Sequence, residues 1–238
     1  MIKKKITLSL VAPVFNESRN IRSTLERWYN YLNNCDFIRK FEIILTDDGS
    51  TDNTKTIIKK FKLKKNNIFL FEFKNNYGPG AALKNSIKNS KYQYVFTIDS
   101  DGQFNIQDLF YLYLELKNKQ LDAVVGNRIK KKDNLFMIIG SRLSSFLSNF
   151  FMKSNIKDFN SNFKLIDGRL LRNINLKENG MSYSTEITAK LIVKKAKISN
   201  VTISHNFILK KKKIFKILIN SINRLVFVLR LIKFRFYL

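Results

Sequence analysis

Asp99 and Asp101 stand one residue apart directly behind the apolar run at 94–98, where a buried strand would surface. In an extended segment side chains two apart point to the same side, so both carboxylates could share one cation. Hard oxygen ligands at that spacing suit Mg²⁺ or Mn²⁺, ions that keep several waters and bridge carboxylates to substrate phosphates. Ser100 faces away between them. Gln103 returns to the carboxylate side if the segment stays extended, where its amide could orient a metal-bound water. The composition also allows a plain turn, because Asp, Ser and Gly are common loop formers.

Elements upstream bring further acids to the same end of a sheet. The apolar run at 41–46 discharges into Asp47-Asp48-Gly49-Ser50-Thr51-Asp52, and the run at 7–12 into Pro13-Val14-Phe15-Asn16-Glu17. Open parallel sheets bind ligands outside the carboxyl ends of their strands, so three strands ending in polar clusters predict an α/β nucleotide-type site. Taken alone, Asp47, Asp48 and Asp52 also read as a capped turn before a helix. Alternation predicts strands at 6–12, 41–46, 68–73, 93–98 and 122–125. Helices are predicted at about 18–33, 53–63, from Gly80 to 89, and 106–118, with Glu17 and Ser18 in the first turn of the first of them. Beyond Arg128 the spacing predicts an amphipathic helix at 134–152, whose Ser141, Arg142, Ser145, Ser148 and Asn149 form the polar face and whose apolar face either packs on the core or meets a membrane. An antiparallel strand at 163–166, a helix at 184–195 and a strand at 198–203 follow.

The formal net charge is +26 over 238 residues, and half of it lies in residues 187–238, which carry 13 Lys and Arg and no acid. That charge prompts a nucleic-acid-binding alternative. The basic tail at 206–238 is aliphatic and carries no nucleic-acid motif, so no nucleic acid is expected as a partner. Within it, Lys216, Asn220, Asn223, Arg224 and Arg230 recur at helical period and no uncharged run approaches the ~20 residues of a bilayer span, which predicts a helix over 214–238 lying on an anionic membrane surface. One cysteine, Cys35, excludes an internal disulfide. The start at Met1 lacks the apolar core of a signal peptide, so a cytoplasmic protein, peripheral on the inner face of the membrane, is expected. Two regions follow: a domain at 1–205 and the basic tail at 206–238.

Pro13 to Glu17, Asp47 to Thr51, the glycines Gly78 and Gly80 within 75–81, and Asp99 to Gln103 together resemble the family 2 glycosyltransferases of the GT-A fold. Gly126-Asn127-Arg128 and the stretch at 158–165 resemble, within that family, the polyprenyl-phosphate mannose and glucose synthases. The resemblance spans roughly 6–205. It implies a three-layer α/β sandwich and an inverting, metal-dependent transfer of a hexose from a nucleotide sugar to polyprenyl phosphate or another lipid-linked acceptor, with an integral-membrane partner conceivable. It also implies roles. Pro13, Phe15, Glu17 and Asp48 would line the nucleotide pocket, with Asp48 reading the base edge. Asp99, Ser100, Asp101 and Gln103 would meet the diphosphate, with Asp99, Asp101 and Gln103 holding Mg²⁺ or Mn²⁺. An ionised phosphate acceptor needs cations rather than a general base, and Arg128 and Arg142 are the forks suited to it. The alternative is transfer to a sugar hydroxyl in a surface polysaccharide or lipid-linked glycan. Trp28, the sole tryptophan, lies in the first helix, which argues against processive members. Ser161-Asn162-Phe163-Lys164 departs from the subgroup's Ser-Gly-Phe-Arg, and Lys210 to Lys213 stand where a further basic loop occurs. His205 is expected to be structural.

Overall fold

The computed structural model describes residues 5–63, 65–128 and 135–205. Seven strands, β1 (Ile6–Val14), β2 (Ile38–Asp47), β3 (Ile68–Glu72), β4 (Tyr94–Thr97), β5 (Ala123–Arg128), β6 (Lys164–Asp167) and β7 (Ile198–Ile203), form one sheet in the order β3-β2-β1-β4-β6-β5-β7. β6 alone runs antiparallel to its neighbours, pairing Thr97 with Lys164 and Val125 with Lys164. The other pairings are parallel, so β1, β2, β4 and β5 all end on one side. The antiparallel strand expected at 163–166 is therefore present, shifted by one residue.

Helices α1 (Ile21–Asn33), α2 (Thr54–Lys62), α3 (Pro79–Lys88), α4 (Leu109–Asn118), α5 (Leu135–Met152), α6 (Gly168–Arg172) and α7 (Tyr183–Val193) cover the sheet. Strand alternation divides the core between its two faces. Leu10, Ile43 and Phe96 face Leu25 and Trp28 of α1, Ile58 of α2 and Leu112 of α4. Val11, Ile44 and Val95 face Leu83 and Ile87 of α3 and Ile187 and Leu191 of α7. Each fully buried Leu or Ile of this kind contributes roughly 1.5–3 kcal/mol. Trp28, 2% exposed, is a core residue. His205 bridges Phe104 at the sheet margin, its ring 5.0 Å from that of Phe104, in keeping with a structural role.

Three expectations need correction. α1 is regular from Ile21 rather than 18, although Glu17 O already accepts the N–H groups of Asn20 and Ile21 (2.9 Å each); the amides of Glu17 and Ser18, which no helical carbonyl could accept, donate instead to Thr54 and Asp52. α6, which Asp167 caps by accepting from Leu170, was not anticipated. Of the two readings of α5, packing of its aromatic face into the core does not hold at the described end. Ser145 and Ser148 are buried, at 6% and 0% exposure, while Leu143, Phe146 and Phe150 stand 48%, 66% and 69% exposed. Small side chains let the helix approach the sheet edge closely, where Met152 packs with Val125, Phe159 and Ala189.

The side chain of Arg142, residues 129–134 and the whole of 206–238, including Lys210 to Lys213, lie outside the described residues. No helix among the described residues is long and apolar enough to cross a membrane.

Candidate functional site

The loops after β1 and β2 are laced together by polar bonds. Asn16 donates its backbone N–H to Ser50 Oγ (2.9 Å), Thr51 N–H donates to Asn16 Oδ1 (2.9 Å), and Glu17 N–H donates to Thr54 Oγ1 (2.9 Å). Asn16 adopts φ 51°, a left-handed conformation that Asn tolerates better than most residues. Asp52 receives Ser18 N–H (3.1 Å) and Thr54 N–H (3.0 Å). Burial pushes its carboxyl up, but the bonds from Thr54 and Ser18 outweigh this and hold it at about 2. The capped turn read from composition is thus real, and it is built into the site wall.

Asp48 spends both oxygens on the next loop, accepting the backbone N–H of Tyr77 (2.7 Å) on Oδ1 and that of Gly78 (2.9 Å) on Oδ2. Burial raises its pKa, as does the neighbouring Asp47, while the two amide bonds oppose them. Asp47 accepts Ser50 N–H (2.9 Å) on Oδ2, and its buried Oδ1 has no hydrogen-bond partner among the described residues. Phe15 and Tyr77, 42% and 55% exposed, stand on these two loops. Gly78 and Gly80 are needed for contact. A Cβ on Gly78, which has φ 98°, would lie 2.4 Å from Asn179 O, and one on Gly80 would lie 2.3 Å from Glu178 O. The opposing segment is fixed by buried Glu186, which accepts Lys177 N–H (2.8 Å) and Glu178 N–H (2.9 Å) and pairs with Lys190 (2.7 Å). Gly80→Ala is expected to cost about 1–3 kcal/mol through overpacking, read as a lower denaturation midpoint with an unchanged slope.

β4 ends at Thr97, and Ser100 and Asp101 belong to a turn, so the acid pair does not sit on an extended strand. Ser100 donates to Pro13 O (2.8 Å), tying this turn to the β1 loop. Gly102 takes φ 78°, which folds Gln103 back so that its amide donates to Asp101 Oδ2 and its backbone N–H to Asp101 Oδ1 (3.2 Å). Gln103 thus meets Asp101 through a turn rather than by strand period. Asp99 accepts Asn162 Nδ2–H and Tyr183 O–H on the same oxygen, Oδ1, each at 2.9 Å. Burial and the charge of Asp101 push the Asp99 carboxyl up, against the bonds from Tyr183 and Asn162 and the nearby charge of Arg128.

Arg128, at the end of β5, is held by Asp158 in a two-pronged pair, Nε to Oδ2 at 2.7 Å and Nη2 to Oδ1 at 3.0 Å. Gly126, two residues earlier, leaves room for Ile203 and Phe163, which a Cβ would meet at 2.6 and 3.0 Å. Beneath lies Lys164, fully buried, donating to Ser161 O and Ser184 Oγ. Burial lowers its ammonium pKa to about 7, aided by Arg128 and opposed by Asp158 and Asp99. Between pH 7 and about 10 the unfolded chain binds this proton and the folded chain does not, so stability should rise with pH there by up to about 1.4 kcal/mol per unit. Below pH 7 both states are protonated and the contribution is flat. Denaturant titrations of wild type and Lys164→Met across pH 6–10 check this, the variant losing the rise.

The structure therefore brings Asp99, Ser100, Asp101 and Gln103 to one turn, joins Pro13 to it, and places Glu17 and Asp48 on the loops of the adjoining strands. Arg128 lies within electrostatic reach of Asp99. Asn162, Tyr183, Lys164 and Asp158 were not anticipated as part of this cluster. Among the described residues no group of three or more His, Cys, Asp or Glu could hold a metal. Asp99 and Asp101 supply carboxylate oxygens at this turn, donors of the chemical kind that suits Mg²⁺ or Mn²⁺.

A mostly parallel sheet covered on both faces, with acidic loops at the carboxyl ends of β1, β2 and β4, defines a GT-A-type α/β fold. Glucosyl-3-phosphoglycerate synthase from Mycobacterium tuberculosis, solved with Mn²⁺, UDP-glucose and phosphoglyceric acid, shares it with a TM-score of 0.73 at 15% identity, over 96% of this chain and 80% of that one. The model of Glycosyl transferase family 2 matches residues 9–180, and the chain belongs to that family. It is 28% identical over 175 residues to the dodecaprenyl-phosphate galacturonate synthase of Rhizobium johnstonii, covering 73% of this chain and 51% of the relative. To the poly-beta-1,6-N-acetyl-D-glucosamine synthase of Staphylococcus epidermidis it is 36% identical over 131 residues, covering 54% of this chain and 30% of the relative. The chain thus spans about half the length of the first and under a third of the second.

Proposed function

We propose that the protein is a metal-dependent inverting hexosyltransferase that moves a sugar from a nucleotide donor of the UDP-glucose or GDP-mannose type to polyprenyl phosphate. The observation that carries this reading is the pairing, at one sheet end, of the Asp99 and Asp101 turn with an arginine fixed by Asp158. The mycobacterial neighbour's Mn²⁺ and UDP-glucose support the donor half, and the dodecaprenyl-phosphate relative supports the acceptor half.

In this reading Pro13, Phe15, Glu17 and Asp48 wall the nucleotide, with Phe15 flanking the base. Asp99 and Asp101 hold the divalent ion, which when bound neutralises charge growing on the departing diphosphate. Gln103 and Ser100 keep that turn in shape. Arg128, and Arg142 from α5, draw the acceptor phosphate toward the sugar. A phosphate is already ionised, so no side chain need remove its proton. A second reading, transfer to a sugar hydroxyl in polysaccharide assembly, draws on the likeness to the staphylococcal synthase.

The protein would work as a domain at 1–205 with a basic tail at 206–238, bound peripherally to an anionic membrane on its cytoplasmic side. Support comes from α5, whose exposed Leu143, Phe146 and Phe150 recur on one face, with the exposed Lys153 and Lys157 just beyond. Apolar insertion and basic attraction to anionic lipid reinforce each other. Phe146→Ser with Phe150→Ser is expected to lower binding to vesicles containing phosphatidylglycerol at least fivefold in flotation, with an unchanged melting temperature. Equal flotation by the variant, or retention on DNA at physiological salt in place of vesicle binding, contradicts the membrane reading.

A thermal-shift screen tests the donor. A ligand that binds only the folded state raises apparent stability, by about 2.7 kcal/mol at a hundred times its Kd. A shift with UDP-glucose or GDP-mannose that requires Mn²⁺ is expected, and none with any nucleotide sugar contradicts the reading.

A further inference from the structure

Oδ1 of Asp99 accepts two hydrogen bonds, from Tyr183 O–H and Asn162 Nδ2–H, whereas Oδ2 takes none among the described residues. Both donors are immobilised. Tyr183 is 5% exposed at the start of α7 and packs with Leu83, Ile87 and Ile187. Asn162 is 2% exposed, and its own carbonyl accepts Thr97 Oγ1–H at 2.8 Å. The preceding carbonyl, of Ser161, is gripped by Lys164 and by Ser184 Oγ–H at 2.6 Å.

The orientation of the Asn162 amide is forced, because its oxygen would repel an ionised carboxylate. In the orientation adopted, Asn162 Oδ1 is buried without a hydrogen-bond partner among the described residues, an unfavourable state alongside the bond to Asp99. Glycine, which the resembling family element has at this position, could supply no such donor.

We propose that Tyr183 and Asn162 are positioning residues that reserve Oδ1 of Asp99 for the protein, so that Asp99 turns Oδ2 alone to a divalent cation carrying a nucleoside diphosphate. This rests on the function proposed above. Bonds to the outer atoms of a ligating carboxylate fix its direction and lower the cost of organising it when the cation arrives. Loss of either donor leaves the other in place, and loss of both lets the carboxylate turn.

Mn²⁺ titrations followed by electron paramagnetic resonance, with UDP or GDP present, test this on the full chain. Tyr183→Phe keeps the ring and its packing, and Asn162→Ala removes the amide while keeping Cβ and its restraint on the backbone. Each single variant is expected to weaken Mn²⁺ binding about 10-fold and the double variant about 100-fold, the range seen for partners of metal ligands. In transfer assays the KM for Mn²⁺ should rise in parallel, while kcat at saturating Mn²⁺ stays within twofold of wild type. Folded variants with wild-type Mn²⁺ affinity overturn the proposal, as does a kcat loss that added Mn²⁺ does not restore. A wild-type protein that binds no Mn²⁺ with either nucleotide overturns the function reading and this inference together.

Discussion

Asp101→Ala is expected to reduce sugar transfer about 10³-fold, the largest effect of any single change in the site. Removing one preorganised group that stabilises developing charge commonly costs 10²–10³ in turnover, and Asp101 would lose a cation contact as well. It also anchors its turn by receiving both the backbone and side-chain N–H of Gln103. Asp101→Asn separates the two roles. An asparagine oxygen can accept one of these bonds but carries no charge for the cation, so its activity should stay near the alanine level while its melting temperature stays near wild type. Steady-state rates of the two variants, measured with Mn²⁺ in excess, check the claim; activity within tenfold of wild type in either contradicts it.

Asp158→Ala is expected to destabilise the fold by about 3–5 kcal/mol, the usual penalty for removing one partner of a buried ion pair. Asp158 is 1% exposed and is bonded to Arg128 through both oxygens. Its loss takes the two-pronged pair from the guanidinium, and it also removes a charge that favours protonated Lys164. A melting temperature lower by about 6–20 °C follows for a domain of this size. The double change Asp158→Ala with Arg128→Met removes both charges and should recover much of the loss, because an apolar pair can replace a buried ion pair at small cost. A double-mutant cycle by denaturant unfolding measures the coupling. If the double variant is as unstable as the sum of the singles, the pair carries no such interaction.

The strand ends were legible because each apolar run stops abruptly at a polar cluster. That is how Asp99, Asp101, Asp48 and Pro13 could be assigned to one side of the sheet before any topology was known. The direction of Gln103 was not legible from strand period, since φ 78° at Gly102 replaces the extended path with a turn. Asn162 and Tyr183 reach Asp99 across 63 and 84 residues, and such separations leave no local pattern. The departure at Asn162 was visible as a residue but not as a donor. Periodicity showed that α5 has two faces, but not which one turns inward; Ser145 and Ser148 pack because they are small, and the aromatic face is left outside. The acceptors of the Glu17 and Ser18 amides were not legible for a related reason, since Thr54 and Asp52 lie over thirty residues away.

The central claim is tested most directly by incubating the purified full chain with radiolabelled UDP-glucose or GDP-mannose, short-chain polyprenyl phosphate and Mn²⁺, then extracting the lipid phase. The account predicts labelled lipid with at least one donor, abolished by EDTA and by Asp101→Ala. Label that enters only a carbohydrate acceptor, or no transfer with any donor from a folded protein, contradicts it.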